Sequence, residues 1–238
     1  MRYIILASIA FLVFYVIQQK NWGFKKIQRK LPKDQDYLRE IAYSIITAFI
    51  FAGIGFVVFT KPVLQYTKLY LDIHHYGIGY FLLSILLMIL VHDAYFYWTH
   101  RLMHHKLLYR FMHKIHHHST NLTPWAAMAF QPLESVVEGS IIAIIAFIFP
   151  VHPLAIGIFL LFMMMYNVYG HLGYELYPKG FSKNVIGKWI NTSVNHNLHH
   201  QHFNGNYGLY FLWWDRWFGT LHQGNDHTFE EVKARKLS

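Results

Sequence analysis

Long apolar stretches alternate along the chain with short polar segments. Residues 41–60 contain no charged side chain, and Lys61 and Pro62 follow them. Residues 73–91 are also free of charge, and the apolar character continues through His92 and Asp93 into an aromatic run. A helix that crosses a bilayer needs about 20 predominantly apolar residues. Both stretches are therefore predicted to be membrane-spanning helices.

A third apolar stretch is too long for one helix. Residues 139–174 lack charged side chains, but Pro150 and Pro153 interrupt them. Proline lacks a backbone donor and ends helices, so we expect two antiparallel helices over residues 132–149 and 154–170. The N-terminal stretch 3–17 is shorter, and no small-residue cleavage site follows it. It is predicted to be an uncleaved anchor rather than a signal peptide.

Basic residues follow a pattern that predicts the orientation of these helices. Lys and Arg are dense between residues 20 and 39 and again between 101 and 114, whereas the loop after the first long span carries only Lys61 and Lys68. Lys and Arg mark cytoplasmic loops. We therefore expect the N-terminus outside, and the basic loops and the C-terminus in the cytoplasm. The chain divides into an anchor and basic segment (1–40), a membrane domain (41–225) and a charged tail expected to be loose (226–238).

Composition supports this membrane assignment. Hydrophobic residues make up 54% of the 238 residues and charged residues only 14%, whereas soluble domains carry about 25% charged residues. The net charge of +9 is explained by topology and by attraction to anionic headgroups. Nucleic-acid binding is disfavoured because the charges are spread over loops and no binding motif accompanies them. The absence of Cys excludes disulfides, Fe–S clusters and Cys-based zinc sites.

The chain has 18 His, and they cluster. His100 and His104 are spaced i, i+4, and two His-x-x-His-His triplets follow the i, i+3, i+4 spacing that places side chains on one face of a helix. A lone His171 ends the last predicted span. Neutral imidazole suits Zn, Cu, Fe and Ni, so the clusters predict metal binding. The candidate ligands are His100, His104, His113, His116, His117, His171, His196, His199 and His200.

The number and type of these candidates narrow the possible sites. A tetrahedral site takes four ligands, so this many histidines indicate two metal ions. The His-Glu-x-x-His pattern of zinc proteases and the Glu-x-x-His pairs of soluble di-iron bundles are both absent from the sequence.

The histidine motifs also carry a resemblance to a known family. Residues 92–104, His113-x-x-His116-His117 and the run 195–200, followed by Asn206-Tyr207-Gly208 and residues 214–220, resemble the fatty-acid hydroxylase/sterol desaturase superfamily. The resemblance covers residues 84–222. It implies an integral membrane enzyme with a di-iron centre on the cytoplasmic face, which uses O₂ and two electrons to attack an unactivated C–H bond of a lipid.

The resemblance also implies a ligand set and partners. Position by position, the nine candidate histidines would be the iron ligands, but some members have a further histidine where this chain has Asn167. Asn167, His92 or water would then complete the set. The lipid would enter from the bilayer, and electrons would come from an external ferredoxin or cytochrome b5-like donor. Hydroxylation and desaturation stay open, as do the lipid and the position attacked.

Few acidic residues lie near the ligands. Asp93 and Glu134 are predicted to accept the free N–H of ligating histidines, as ligating histidines nearly always donate to an acceptor; Glu138 and Glu175 are weaker candidates. The alternatives are a carotenoid ring hydroxylase and, in a different class, a zinc-binding membrane transporter or sensor. A transporter would place ligands near the bilayer midplane, where the predicted spans 41–59 and 141–149 have none. The C-terminal residues lack an endoplasmic-reticulum retrieval signal, which favours a bacterial inner membrane.

Overall fold

Five apolar helices form the body of the computed structural model, which describes residues 2–236. They are α1 (Arg2–Phe11, continued by a π-helical segment Leu12–Ile17), α2 (Asp34–Val58), α4 (Gly77–Met103), α6 (Pro132–Ile148) and α7 (Pro153–Gly170). Shorter helices complete the fold: α3 (Lys61–Leu64), α5 (Tyr109–Met112), α8 (Ser193–His202), α9 (Trp213–Trp217) and α10 (Asn225–Ala234). Residues 2–236 contain isolated β-bridges but no strand. The predicted all-α fold is confirmed.

Local sequence explains where the long helices begin and end. In α2, the Asp36 carboxylate accepts a hydrogen bond from the Lys33 backbone N–H at 3.1 Å, which caps the helix N-terminus. Pro132 and Pro153 occupy the first positions of α6 and α7, where a missing N–H costs nothing. The predicted hairpin between α6 and α7 is therefore confirmed to within a residue or two.

Three of the helices, α2, α4 and α7, are long and apolar enough to cross a membrane, whereas Arg2–Ile17 is a shorter apolar helix. Large apolar side chains lie on the outside of the bundle, such as Phe49 (75% exposed) and Phe56 (73% exposed). Soluble proteins rarely expose such surface, but in a bilayer it contacts lipid. The chain is an integral membrane protein.

The helices alternate in direction, so every histidine cluster reaches the same end of the bundle. At that end the Tyr15 hydroxyl, near the end of α1's extension, donates to the Leu172 carbonyl just after α7 at 2.9 Å. At the opposite end Lys68, in the loop after α2, donates through Nζ to the Ile148 carbonyl at 2.8 Å. The segments that carry the histidines are thereby brought together.

The C-terminal segment differs from the prediction of a loose tail. Residues Asn225–Ala234 form α10, and Phe229 and Val232 are buried against α8 residues Val194 and Leu198. The apolar spacing i, i+3 within a charged sequence gives this helix one buried face. The segment therefore supports α8, which carries three of the histidines.

Candidate metal centre

The nine candidate histidines come from four different parts of the fold. His100 lies in the last turn of α4 and His104 caps that helix, while His171 caps α7. His196, His199 and His200 lie on α8, as the helical spacing predicts. The triplet around His116 differs, because it spans a turn and the 3₁₀-helix His116–His118 instead of an α-helix. All of these residues except His104 are buried.

These histidines form two groups in which the ring nitrogens lie within 4.8 Å of one another. We call them the five-histidine group and the four-histidine group. Together they contain all nine candidate histidines. The five-histidine group consists of His100, His104, His113, His117 and His199. The four-histidine group consists of His116, His171, His196 and His200.

Each His-x-x-His-His triplet is divided between the two groups. The outer pair of the first triplet, His113 and His117, belongs to the five-histidine group, and His116 belongs to the other. In the second triplet the outer pair belongs to the four-histidine group, whereas His199 crosses to the five-histidine group. Each triplet thus contributes to both groups, so the backbone of each triplet connects the five-histidine group to the four-histidine group.

The Nε2 atoms within a group are spaced as ligands of one ion would be. His100 and His113 Nε2 are 2.9 Å apart, and His104 and His117 Nε2 are 3.1 Å apart. In the four-histidine group His171 Nε2 lies 2.9 Å from that of His196 and 3.3 Å from that of His116. Two nitrogens bound to one metal at about 2.1 Å are separated by about 3.0–3.4 Å for right-angled to tetrahedral geometry.

The hydrogen bonds of the Nδ1 atoms show which of the two ring nitrogens carries the proton. His100 Nδ1 donates to the Tyr207 carbonyl at 2.9 Å and His113 Nδ1 donates to the Glu134 carboxylate at 2.6 Å. A neutral imidazole has one N–H, so both Nε2 atoms present lone pairs to each other. Facing lone pairs repel unless a cation lies between them. The donor set therefore fits a metal ion, and the same holds for His199, whose Nδ1 donates to the Gly205 carbonyl at 2.7 Å.

Burial keeps these rings neutral. Burial lowers the pKa of His113, His116 and His117 well below the usual range, and the neighbouring imidazoles lower each pKa further. Burial also lowers the pKa of His171 to about 4. At neutral pH these imidazoles are therefore neutral, which is the form that coordinates metal.

The two predicted acidic partners have different surroundings. Glu134 accepts a hydrogen bond from His113 Nδ1 at 2.6 Å, and both side chains are only 2% exposed. Asp93 does not contact a histidine ring. Its carboxylate accepts the backbone N–H groups of Tyr210 and Phe211 and the Trp213 indole N–H at 2.8–3.2 Å. The prediction for Asp93 is wrong because the loop after α8 folds back over α4 and covers it.

The remaining candidates also lie outside the two groups. His92 Nδ1 is 2.9 Å from the Tyr210 hydroxyl. The Asn167 side-chain amide donates to the Ala127 carbonyl at 2.7 Å, and the Asn167 backbone carbonyl accepts from His171 Nδ1 at 2.9 Å. Glu175 accepts from the Val194 N–H near the start of α8 at 3.1 Å. Asn167 and Glu175 thus position elements that carry histidines.

The acceptors that the sequence did not predict are backbone carbonyls, one on α7 and two in the loop 203–212. Tyr207 and Gly205 provide two of them. Asp215 fixes this loop by accepting the N–H groups of Tyr207 and Gly208 at 2.9 and 2.8 Å. A Cβ at position 208 would lie 2.4 Å from the Phe211 carbonyl oxygen, so only glycine fits there. Asn206-Tyr207-Gly208 and Asp215 are the signal in the sequence that could have identified this loop.

A helical membrane bundle that ends in two groups of buried imidazoles defines a membrane protein with a site able to hold metal ions. Residues 85–220, more than half of the chain, match the family model described as fatty acid hydroxylase. The chain belongs to this fatty acid hydroxylase family, which confirms the resemblance seen in the histidine motifs.

Several curated proteins are similar to the chain. A Delta(7)-sterol 5(6)-desaturase of Gibberella zeae is 28% identical over 87% of this chain and 64% of its own length. Lathosterol oxidase of Homo sapiens is 30% identical over 81% of this chain and 62% of its own length. A Delta(7)-sterol 5(6)-desaturase of Schizosaccharomyces pombe is 32% identical over 70% of this chain and 53% of its own length. The chain thus spans less than two thirds of the length of these relatives. No solved structure matches it.

Proposed function

We propose that the chain is an O₂-dependent lipid oxidoreductase whose nine histidines hold two iron ions. The observation that carries this proposal is the division of the histidines into a five- and a four-histidine group, with the unprotonated Nε2 atoms of His100 and His113 facing each other in the first. Iron is favoured among the metals that suit imidazole by the chain's family and by its sterol desaturase relatives. When bound, two irons supply the electron transfers between O₂ and an aliphatic C–H bond.

The chain's own residues hold and shield this centre. The Tyr207 and Gly205 carbonyls and the Glu134 carboxylate accept the Nδ1 protons, which fixes the ring orientation and makes the opposite nitrogen a better donor. Burial of the groups excludes bulk water. No side chain is required as a nucleophile or general acid in this proposal, and the roles of all nine histidines as ligands belong to it.

Substrate, donor and location follow from the same proposal. The sterol-acting relatives suggest a sterol or fatty-acyl lipid that enters laterally from the bilayer and is hydroxylated or desaturated. Basic loops at the histidine-bearing end suit an acidic electron donor, a ferredoxin or a cytochrome b5-like protein. Because Lys and Arg mark cytoplasmic loops, the proposal includes a cytoplasmic orientation for that end. The bacterial inner membrane and the division at residues 40 and 225 stay predictions.

The zinc transporter is less well supported. Transporter ligands lie near the bilayer midplane, on discontinuous helices. Among the described residues, both histidine groups instead lie at one end of the bundle, and α2 and α7 run without a break. No separate observation favours a carotenoid ring over another lipid.

Mössbauer spectroscopy on protein from cells grown with iron-57 tests the proposal. We expect two spin-coupled irons per chain, and oxidation of a Delta(7)-sterol or a fatty-acyl lipid when O₂ and a reduced ferredoxin or cytochrome b5 are added. A His199→Ala, His200→Ala double variant, which removes one ligand from each group, is the matched inactive control. Zinc bound in place of iron after anaerobic preparation in excess Fe(II) would refute the iron assignment.

A further inference from the structure

Glu138 is a buried carboxyl that neither the metal groups nor the fold uses. It lies on α6, four residues after Glu134 and thus about one helical turn, roughly 6 Å, further into the bundle. Its side chain is only 8% exposed, and within residues 2–236 its Oε1 atom is buried without a hydrogen-bond partner. Burying a polar group without a partner costs free energy, so a role outside the fold explains it better.

Glu138 lines a cavity between the apolar helices of the bundle. The cavity measures about 390 Å³, within the range of about 300–1,000 Å³ typical of small-molecule sites. Its walls are apolar side chains of α2, α6 and α7, and at the far end it reaches Phe56 and Phe59 on the lipid-facing surface. Glu138 and Arg2 are the charged residues that line it, and Arg2 lies at the far end.

Two small spaces lie between this cavity and the four-histidine group. Glu138 also lines a second cavity of about 20 Å³, whose walls include His92, Asn167 and Leu209. Asn167 and Leu209 then line a third space of about 10 Å³ that is bounded by His171 and His196. Glu138 lines both the large cavity and the adjoining small space, so an apolar molecule in the large cavity has its inner end at Glu138, on the side that faces the histidines.

We propose that Glu138 binds the hydroxyl group of a monohydroxylated lipid whose apolar body occupies the large cavity. The inference rests on the proposed function and deepens it, because it assigns a lipid alcohol as substrate and sets its orientation. The hydroxyl-bearing end lies innermost and the hydrocarbon end points to the bilayer.

The hydrogen bond makes Glu138 a determinant of specificity. A lipid alcohol satisfies the carboxyl, whereas an analogue without the hydroxyl group leaves it buried and unpaired. Sites that hydrogen-bond a substrate hydroxyl reject analogues that lack it, because their own polar groups lose a partner. A single buried hydrogen bond of this kind corresponds to a preference of at least about tenfold.

Binding of matched lipid pairs to the full chain in nanodiscs tests the inference. The probes are lathosterol with its analogue lacking the hydroxyl group, and octadecanol with octadecane, so that sterols are distinguished from acyl chains. We expect the wild type to bind the alcohol of one pair at least about tenfold more tightly. Glu138→Leu should abolish that preference, and Glu138→Gln, which keeps a hydrogen-bonding group, should retain part of it. Met163→Leu, a change in the apolar wall, should affect both members of a pair equally.

The outcomes separate this inference from the proposed function. A preference that survives Glu138→Leu, equal binding of alcohol and hydrocarbon, or no binding of any probe would overturn the role of Glu138. Iron content is measured on the same samples and should not change in the Glu138 variants, because Glu138 belongs to neither histidine group. Failure of the proposed function would appear instead as protein that binds no iron, whether or not the alcohol preference is present.

Discussion

Replacing Glu134 by Ala should weaken metal binding at the five-histidine group. The Glu134 carboxylate lies 2.6 Å from His113 Nδ1, and both side chains are 2% exposed. Without it, the N–H of a ligand ring is buried and unpaired. A hydrogen bond to a charged group contributes about 1.5–3 kcal/mol, which corresponds to about 10–100-fold in affinity. Loss of an acceptor behind a metal-bound histidine costs the same factor in other proteins.

The assay is metal retention against a chelator series, read as iron per chain. We expect the iron of the five-histidine group to be lost at about 10–100-fold lower chelator concentration, while that of the four-histidine group is retained. Glu134→Gln is the matched control because its amide oxygen can still accept from His113, so its loss should be smaller. Thermal unfolding of metal-free protein measures how much the cap contact to Gln131, at 3.4 Å, contributes to stability. Full retention of both irons in Glu134→Ala would refute the reasoning.

Three further predictions concern the metal positions, pH and packing. His200→Ala should reduce the iron content from two ions to one per chain by elemental analysis, whereas replacing the exposed His202 by Ala should leave two. Equal iron losses in the two variants would contradict the division of the histidines into two groups. The metal-free protein should keep its free energy of unfolding above pH ~6.5, the pKa of histidine in the unfolded chain, and lose part of it as the pH falls toward 4. The reason is that burial lowers the pKa of His171 in the folded chain to about 4. Unfolding midpoints that do not change across this pH range would contradict the prediction. Gly139→Ala should lower the unfolding temperature, since its Cβ would lie 2.7 Å from Ile54 Cδ1, whereas Gly157→Ala meets no atom within 4 Å and should not.

The sequence by itself determined the long helices and the histidines that are available to the site. Charge-free stretches of bilayer length predicted α2 and α4, and Pro150 and Pro153 predicted the hairpin of α6 and α7, because these features act locally through hydrophobicity and backbone geometry. The spacing of His196, His199 and His200 predicted their helix and a metal site. Such predictions need only residues that are close together in the chain.

The division of the histidines was decided by tertiary structure. On α8, His196 and His200 lie within about 40° of each other around the helix axis, and His199 points elsewhere. Which group each joins depends on where α4, α7 and the 113–118 segment deliver their own rings. Those positions follow from packing between residues far apart in sequence, which spacing does not encode.

The hydrogen-bond partners of the acidic residues were also decided by the tertiary structure. Asp93 and Glu134 both lie on apolar helices near the histidines, and the sequence suggested one role for both. Only the folded chain brings Glu134 to His113, 21 residues away, and the loop with Tyr210 to Asp93, 117 residues away. A buried carboxylate accepts hydrogen bonds from the N–H groups that the fold places beside it. Its partner is therefore set by the tertiary fold rather than by its neighbours in sequence.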